Sequence, residues 1–349
     1  MEHKLALIGC GTVGQGLLEI LVRKKDFLKK NYDFEARVVA ISDRLKGSIL
    51  VPEGIKIEKL LSLLNEEKRI EKYLEGAKNA AEGMDALEII EACEASIVAE
   101  LTYTDIKTGE PATSHIRRAL QSGKHVVSSN KGPAALFYKE LKNLAEENDV
   151  FFRFEGTVMS GTPVFNLFET SLAGNEIKEI TGILNGTTNF ILSKMEEENM
   201  EYDEALTLAQ KLGYAEADPT ADVEGHDALA KVLILSNVLL DGDITPTEVP
   251  CQGISWISKE MVKEAKAEGM RYKLIASTKK KAGGVKASVA PQKLPLSNPL
   301  AGVMGAENAL TFDLDLIGRV TIQGPGAGKL ETGYSLLADI LAIHRSLRH

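Results

Sequence analysis

A short apolar run, Leu5-Ala6-Leu7-Ile8, leads directly into Gly9-Cys10-Gly11-Thr12-Val13-Gly14, after which Leu17, Leu18, Ile20 and Leu21 recur at helical spacing. Strand, G-x-G-x-x-G and helix in that order confine this part of the chain to a parallel, doubly wound α/β sheet of the Rossmann type. Gly9 permits a tight turn, Gly11 lets backbone approach a pyrophosphate, and Gly14 lets the helix pack closely on the strand. The helix N-terminus adds unpaired N–H groups and a partial positive charge for the same anion. Cys10, inside the loop, reads as a small packing residue.

Residues 36–42 read as a second strand ending at Asp43-Arg44. An acid there accepts hydrogen bonds from adenosine ribose hydroxyls, which favours NAD; Arg44 can instead meet a 2′-phosphate, which favours NADP. Both readings stand. The gap from Gly14 to Asp43 predicts a long first helix whose Lys24, Lys25, Lys29 and Lys30 form a solvated face. Residues 56–76 read as a surface helix, 96–101 and 124–129 as buried strands, and 111–122 as the helix between them. Thr102 ends one strand and Asn130-Lys131-Gly132-Pro133 the other. Ligands of open α/β sheets bind beyond the carboxyl ends of the strands, so Thr102 and Lys131 are placed to meet one. The plain alternative for Lys131 is a solvated loop lysine.

A second domain opens with a strand at 151–154. The loop Glu155-Gly156-Thr157-Val158-Met159-Ser160-Gly161-Thr162-Pro163 offers carbonyls and a carboxylate to a hard cation, or is simply a turn before a helix at 164–173. A strand over 180–184 runs into Asn185-Gly186-Thr187-Thr188-Asn189, with a helix from near Phe190 capped by Thr188 or Asn189, and a helix over 204–212 stops at Gly213. Positions 216–227 then hold five carboxylates, followed by an apolar helix over 228–240 whose one charge is Lys231. Asp227 and Lys231 are four apart and share a face. Such a lysine either snorkels out over a capping-acid loop or is held in a cleft to move a proton. Residues 271–277, 284–290 and 309–316 read as strands of an antiparallel sheet, and 318–323 alternate apolar and polar residues. A second Gly-rich turn, 324–328, precedes a terminal helix over 331–347 that packs back on the first domain.

Lys plus Arg number 41 against 50 for Asp plus Glu, a net charge of −9 that argues against nucleic acid or anionic lipid as a partner. No run is long and apolar enough for a membrane span. Cys10, Cys93 and Cys251 are too few for a disulfide framework and point to a reducing cytoplasm. The histidines lack metal-ligand spacing, and no Gly-x-Ser-x-Gly occurs.

Taken together these motifs resemble homoserine dehydrogenase along nearly the whole chain. The resemblance rests on the glycine motif through Gly16, on Gly123-Lys124-His125-Val126-Val127 with Asn130-Lys131-Gly132-Pro133, and on Gly182-Ile183-Leu184-Asn185-Gly186-Thr187-Thr188-Asn189-Phe190. Most specific is Gly213-Tyr214-Ala215-Glu216-Ala217-Asp218-Pro219 continuing to Asp222, Gly225, Asp227 and Lys231. The resemblance implies reversible NADPH- or NADH-dependent reduction of L-aspartate 4-semialdehyde to L-homoserine, in threonine, methionine and isoleucine synthesis. It makes Lys231 an acid/base residue and sets Lys131 at the reacting centre. Gly213, Glu216, Asp222 and Asp227 become substrate-binding positions. Gly11, Thr12, Val13, Thr102, Ser129, Lys131 and Gly328 match dinucleotide contacts, beside Gly9, Gly14, Asp43 and Arg44 read above. Glu155, Val158, Ser160 and Thr162 match a loop that holds a sodium ion. The implied architecture is a Rossmann-type domain over 1–140 and 325–349 and an α+β catalytic and dimerisation domain over 141–324, with a mainly antiparallel sheet and a homodimer built on it.

Two departures stand out. The family usually starts its last helix with a Pro/Thr/Ala/Ser-rich stretch, where this chain has Lys329-Leu330-Glu331-Thr332-Gly333-Tyr334. The sequence ends at His349, which predicts that the regulatory C-terminal domain of longer members, and threonine feedback through it, are missing. The competing readings are another two-domain dehydrogenase and a cofactor-binding regulator without catalysis; retention of both Lys131 and Lys231 argues against the second.

Overall fold

A computed structural model describes residues 1–66, 69–74 and 80–348. In chain order the first unit contains β1 (Glu2–Ile8), α1 (Thr12–Tyr32), β2 (Glu35–Asp43), β3 (Gly47–Leu50), α2 (Ile57–Asn65), β4 (Ala81–Glu82), α3 (Ala86–Ala92), β5 (Ile97–Glu100), α4 (Ala112–Gln121), β6 (His125–Ser128), α5 (Lys131–Leu136), α6 (Tyr138–Glu147), β7 (Phe152–Arg153) and α7 (Gly156–Met159). The second contains α8 (Phe165–Thr170), β8 (Ile177–Ile183), α9 (Gly186–Glu197), α10 (Tyr202–Lys211), α11 (Thr220–Val223), α12 (His226–Leu239), α13 (Lys259–Ala267), β9 (Met270–Lys281), β10 (Gly284–Pro295), β11 (Glu307–Leu314) and β12 (Gly318–Pro325), and the chain closes with α14 (Lys329–Ser346). Two compact units result: Met1–Gly161 with Gly328–His349, and Thr162–Ala327.

The first unit is built on a seven-stranded sheet in the order β4-β3-β2-β1-β5-β6-β7. From β2 to β7 the pairing is parallel, while β3 and β4 add antiparallel. Leu5, Leu7, Ile97 and Val127 are fully buried in it, as the unbroken apolar runs require of strands covered on both faces. β7 pairs with β6, which draws the segment beyond residue 140 into this unit; residues 151–154 are its edge rather than the start of the second domain. The surface helix expected over 56–76 is α2 followed by a 3-10 turn at Ile70–Leu74; residues 67–68 and 75–76 lie outside the described residues.

The atypical start of the last helix has a packing role. A Cβ placed on Gly16 would lie 2.0 Å from the Lys329 carbonyl oxygen, and one on Gly333 would lie 2.6 Å from the Gly16 carbonyl carbon. Helices α1 and α14 therefore cross backbone to backbone, which only glycine permits at both positions.

The second unit is a five-stranded antiparallel sheet, β10-β9-β8-β11-β12. Helices α9, α12 and α13 pack against β9, with Ile183, Ile275, Leu300 and Ala309 in one buried cluster. Helix α9 starts four residues before the expected position near Phe190. Its cap is Asn185, not Thr188 or Asn189, because the Asn185 side chain accepts the Thr188 N–H at 2.8 Å.

Candidate active site

At the carboxyl ends of β1, β2 and β5 the first unit opens a cleft of about 730 Å³ lined by Gly9, Gly11, Asp43, Arg44 and Thr102. It lies where the chain reverses its winding direction across the sheet, between β1 and β5. Close backbone packing requires glycine at two of the three motif positions. Gly9 has φ +99°, and a Cβ there would sit 2.5 Å from the Leu101 oxygen. A Cβ on Gly14 would sit 2.9 Å from the Gly9 oxygen, whereas one on Gly11 meets nothing within 4 Å. Gly11 caps α1 without a side-chain hydrogen bond and the first turn carries no acid. The helix N–H groups thus face an uncapped, unopposed position, which fits a dinucleotide pyrophosphate. Thr12 and Val13 form the first turn of α1, Thr12 exposed and Val13 half-buried. Burial pushes the Cys10 thiol up to about 12, so it stays a protonated packing group.

Asp43 organises the loop beside this cleft. Its Oδ2 accepts from the Cys10 N–H at 2.7 Å, and its Oδ1 accepts from the N–H groups of Leu45 and Lys46, both at 3.0 Å. The cleft also takes in residues that sequence reading passed over, among them Arg69, Glu71, Tyr103 and His115. Arg69 donates to both oxygens of Glu71, at 2.7 and 3.2 Å.

Lys131 is the first residue of α5, and one amide side chain builds its surroundings. Asn130 accepts the Gly132 N–H at 3.2 Å, while its Nδ2 donates to the carbonyls of Thr102 and Tyr103 at 3.3 and 3.0 Å. The turn carrying Lys131 and the loop carrying Thr102 are fixed together. Ser129 is half-buried just before it. Gly328 caps α14 at φ +144°, where a Cβ would lie 2.0 Å from Glu331 Oε2.

The second cluster belongs to the second unit. Lys231 is 7% exposed, and its Nζ donates to the Leu184 carbonyl at 2.6 Å and to Asp227 Oδ2 at 2.8 Å. Asn185 Nδ2 donates to Asp222 Oδ1 at 2.6 Å and to Asp227 Oδ2 at 3.0 Å. Burial pushes the Asp222 carboxyl up, and the Asp227 charge adds to this; hydrogen bonds from Asn185 and Thr187 oppose it. The lysine does not snorkel. Of the five carboxylates, only Asp222 and Asp227 join it through these bonds. Glu216 is exposed, and Asp218 accepts from the Thr220 N–H and hydroxyl at 3.1 and 2.6 Å. Gly213, at φ +79°, is exposed just past α10, close in sequence to Tyr214, whose carbonyl accepts from the Thr187 hydroxyl at 2.6 Å. In the sequence, Asn185 reads as the end of a strand. An amide capping a helix and bridging two acids was detectable as an N-cap signal, but its partners lie 37 and 42 residues away.

In the loop after β7, Glu155, Val158 and Ser160 are buried in the first unit and Thr162 falls in the second. The Glu155 N–H donates to Asp339 at 2.8 Å, and the Ser160 hydroxyl meets that of Thr332 at 2.7 Å. Ser160 turns out of α7 with φ +52°.

Two family profiles match the chain: "Homoserine dehydrogenase, NAD binding domain" over residues 9–155 and "Homoserine dehydrogenase" over 163–341. The chain belongs to the homoserine dehydrogenase family. An NAD(+)-dependent homoserine dehydrogenase of Pseudomonas canavaninivorans is 45% identical, over 99% of this chain and 97% of its own length. A homoserine dehydrogenase of Methanocaldococcus jannaschii is 40% identical over 99% of each. The crystal structure of a homoserine dehydrogenase from Thiobacillus denitrificans superposes with a TM-score of 0.83 at 31% identity, covering all of this chain and 74% of that one. The activity is homoserine dehydrogenase activity, an NAD(P)-dependent oxidoreduction of amino-acid biosynthesis. Among the described residues no helix is long and apolar enough to cross a membrane.

Proposed function

We propose that Lys231 is the acid/base group in the reversible reduction of L-aspartate 4-semialdehyde to L-homoserine, a step toward threonine, methionine and isoleucine. The observation that carries this reading is a buried ammonium with two of its three N–H groups committed, one to the Leu184 carbonyl and one to Asp227. The third remains for a substrate oxygen. A bound nicotinamide dinucleotide supplies the hydride to the aldehyde carbon. Lys231 Nζ gives its proton to the oxygen on which negative charge develops, and Asp227 beside it favours the protonated amine that donates. By its match to the family pattern, Lys131 belongs to the reacting centre. Asp222, Asp227 and Glu216 bind the substrate ammonium, with Gly213 contributing backbone.

NAD is the favoured dinucleotide. Asp43 Oδ1 is filled by two N–H groups, but Oδ2 receives one and has capacity for a ribose hydroxyl, while the carboxylate repels a 2′-phosphate. Arg44 is the residue that would reverse this preference. A sodium ion bound by Glu155, Val158, Ser160 and Thr162, mostly through carbonyls, follows from their match to the family's loop, in which Val158 lies within the short helix α7 and Ser160 ends it. The outer edge of β12, with no partner strand among the described residues and with Val320 and Ile322 half-exposed, supports a homodimer. Three unpaired cysteines fit a cytoplasmic enzyme.

Oxidation of NADH and of NADPH, followed with L-aspartate 4-semialdehyde, tests the reading. Turnover with a higher kcat/KM for NADH is expected. A folded protein without turnover rejects the reaction, and an NADPH preference rejects the role given to Asp43.

A further inference from the structure

The apolar run of β5 ends in an acid. Ile97, Val98 and Ala99 are buried as a central strand demands, yet Glu100 is buried beside them at 0% exposure, paired in register with Ile8 of β1 and Ser128 of β6. A carboxylate at the centre of a sheet is costly to desolvate, and the fold has no need of one there. Where a local rule is broken in this way, a functional reason is the first to examine.

Among the described residues, the hydrogen bonds to the Glu100 side chain all fall on one carboxyl oxygen. Oε1 accepts from the Thr102 hydroxyl in a short contact and from the Thr102 N–H at 3.2 Å, and lies 3.4 Å from His115 Nδ1. Oε2 is buried and has no partner among the described residues. Thr102 and His115 both line the dinucleotide cleft. A threonine hydroxyl has one proton and two lone pairs. With the proton committed to a buried carboxylate, the oxygen can only accept from whatever stands in the cleft.

We propose that Glu100 is a positioning residue for the dinucleotide: it fixes Thr102 as an obligate hydrogen-bond acceptor and thereby selects a donor group of the cofactor, a ribose O–H or the carboxamide N–H, over acceptors such as phosphate oxygens. This rests on the reading that Thr102 contacts the dinucleotide. The selection is polar rather than steric, so it survives any change that keeps an acceptor at Oε1 and disappears with any that removes it.

A double-mutant cycle tests it, with the dinucleotide Kd read by fluorescence titration and the homoserine KM measured alongside. Glu100→Leu suits the apolar strand, and Glu100→Met serves as a second apolar variant should the first not fold. Either should weaken dinucleotide binding about tenfold, the scale of one net hydrogen bond, without changing the homoserine KM. Glu100→Gln, which keeps an acceptor at Oε1, should recover most of that loss. Thr102→Val should cost about the same, and Glu100→Leu added to Thr102→Val should cost nothing further. If the two losses multiply instead, or if Glu100→Leu lowers only the melting temperature, Glu100 is structural and the proposal falls. If Thr102→Val itself leaves Kd unchanged, the Thr102 contact fails, and Glu100 has nothing to act through. Should the cycle close as expected, 3-acetylpyridine dinucleotide, which lacks the carboxamide N–H, separates the two donors. A wild-type preference for the natural cofactor that vanishes in Thr102→Val identifies the carboxamide, and an unchanged ratio identifies the ribose.

Discussion

Replacing Asn185 with aspartate isolates the polar bridge beneath Lys231 from the helix it caps. Asp caps a helix as well as Asn, so the bond to the Thr188 N–H survives and α9 keeps its start. What is lost is the donor at 2.6 Å from Asp222 and 3.0 Å from Asp227. Hydrogen bonds to ionised acceptors contribute about 1.5–3 kcal/mol each, and the lower figure for both gives about 3 kcal/mol. At about 1.4 kcal/mol per decade, that is a loss of more than a hundredfold in kcat/KM for homoserine. A third acid beside Asp222, whose carboxyl burial already pushes up, makes the loss pH-dependent. It should narrow as pH falls, because a protonated carboxyl donates where the amide did. Steady-state kinetics from acid to neutral pH, with the melting temperature as a control on folding, measures both features. An Asn185→Asp enzyme within threefold of wild type would refute the claim that this bridge orders the acids. So would a deficit that does not change with pH.

Other consequences follow from the first unit. Burial, with His344 adding, lowers His3 from 6.5 to about 4, and His3 Nε2 sits 2.9 Å from His344 Nδ1. A depressed pKa means that the unfolded chain binds the proton first. The contribution of up to about 3 kcal/mol is therefore complete above pH 6.5 and is lost as pH falls to about 4. Urea unfolding of His3→Phe should show a flatter pH dependence through that window; an unchanged slope would remove His3 from the account. Gly11→Ala has room for its Cβ, so it should keep the wild-type melting temperature while weakening dinucleotide binding at least tenfold. Unchanged binding would mean that the pyrophosphate does not approach this turn. Gly333→Ala, by contrast, puts a Cβ 2.6 Å from α1 backbone and should lower stability by about 1–3 kcal/mol on calorimetry. No loss would mean that the two helices do not cross as tightly as described.

The parts of this molecule legible in its sequence are those written in neighbouring residues. The strand–glycine–helix passage encodes its own geometry, since Gly9, Gly11 and Gly14 act on backbone within a few positions. Asp227 and Lys231, one helical turn apart, declare a shared face. The features that escaped depend on partners far along the chain. Strands β3 and β4 are four and two residues long and exist through antiparallel pairing to the edge of β2 and to each other. Asn185 takes its meaning from acids on α11 and α12. The boundary near residue 140 moved because a two-residue strand, β7, finds its neighbour in β6. Glu100 sat inside a run that read simply as buried strand, and only the side chains packed around it reveal what it holds. Family resemblance supplied roles for Glu216 and Gly213 that local geometry alone does not distinguish, as both are exposed.

The most direct test of the chemistry is Lys231→Met, which keeps the length and apolar stem of the side chain and removes the ammonium. With the fold intact, kcat for homoserine oxidation should fall at least a hundredfold while the dinucleotide Kd stays within twofold of wild type. A Lys231→Met enzyme with near-wild-type kcat would reduce the buried amine to a structural anchor for Asp227 and Leu184, and the acid/base assignment would be wrong.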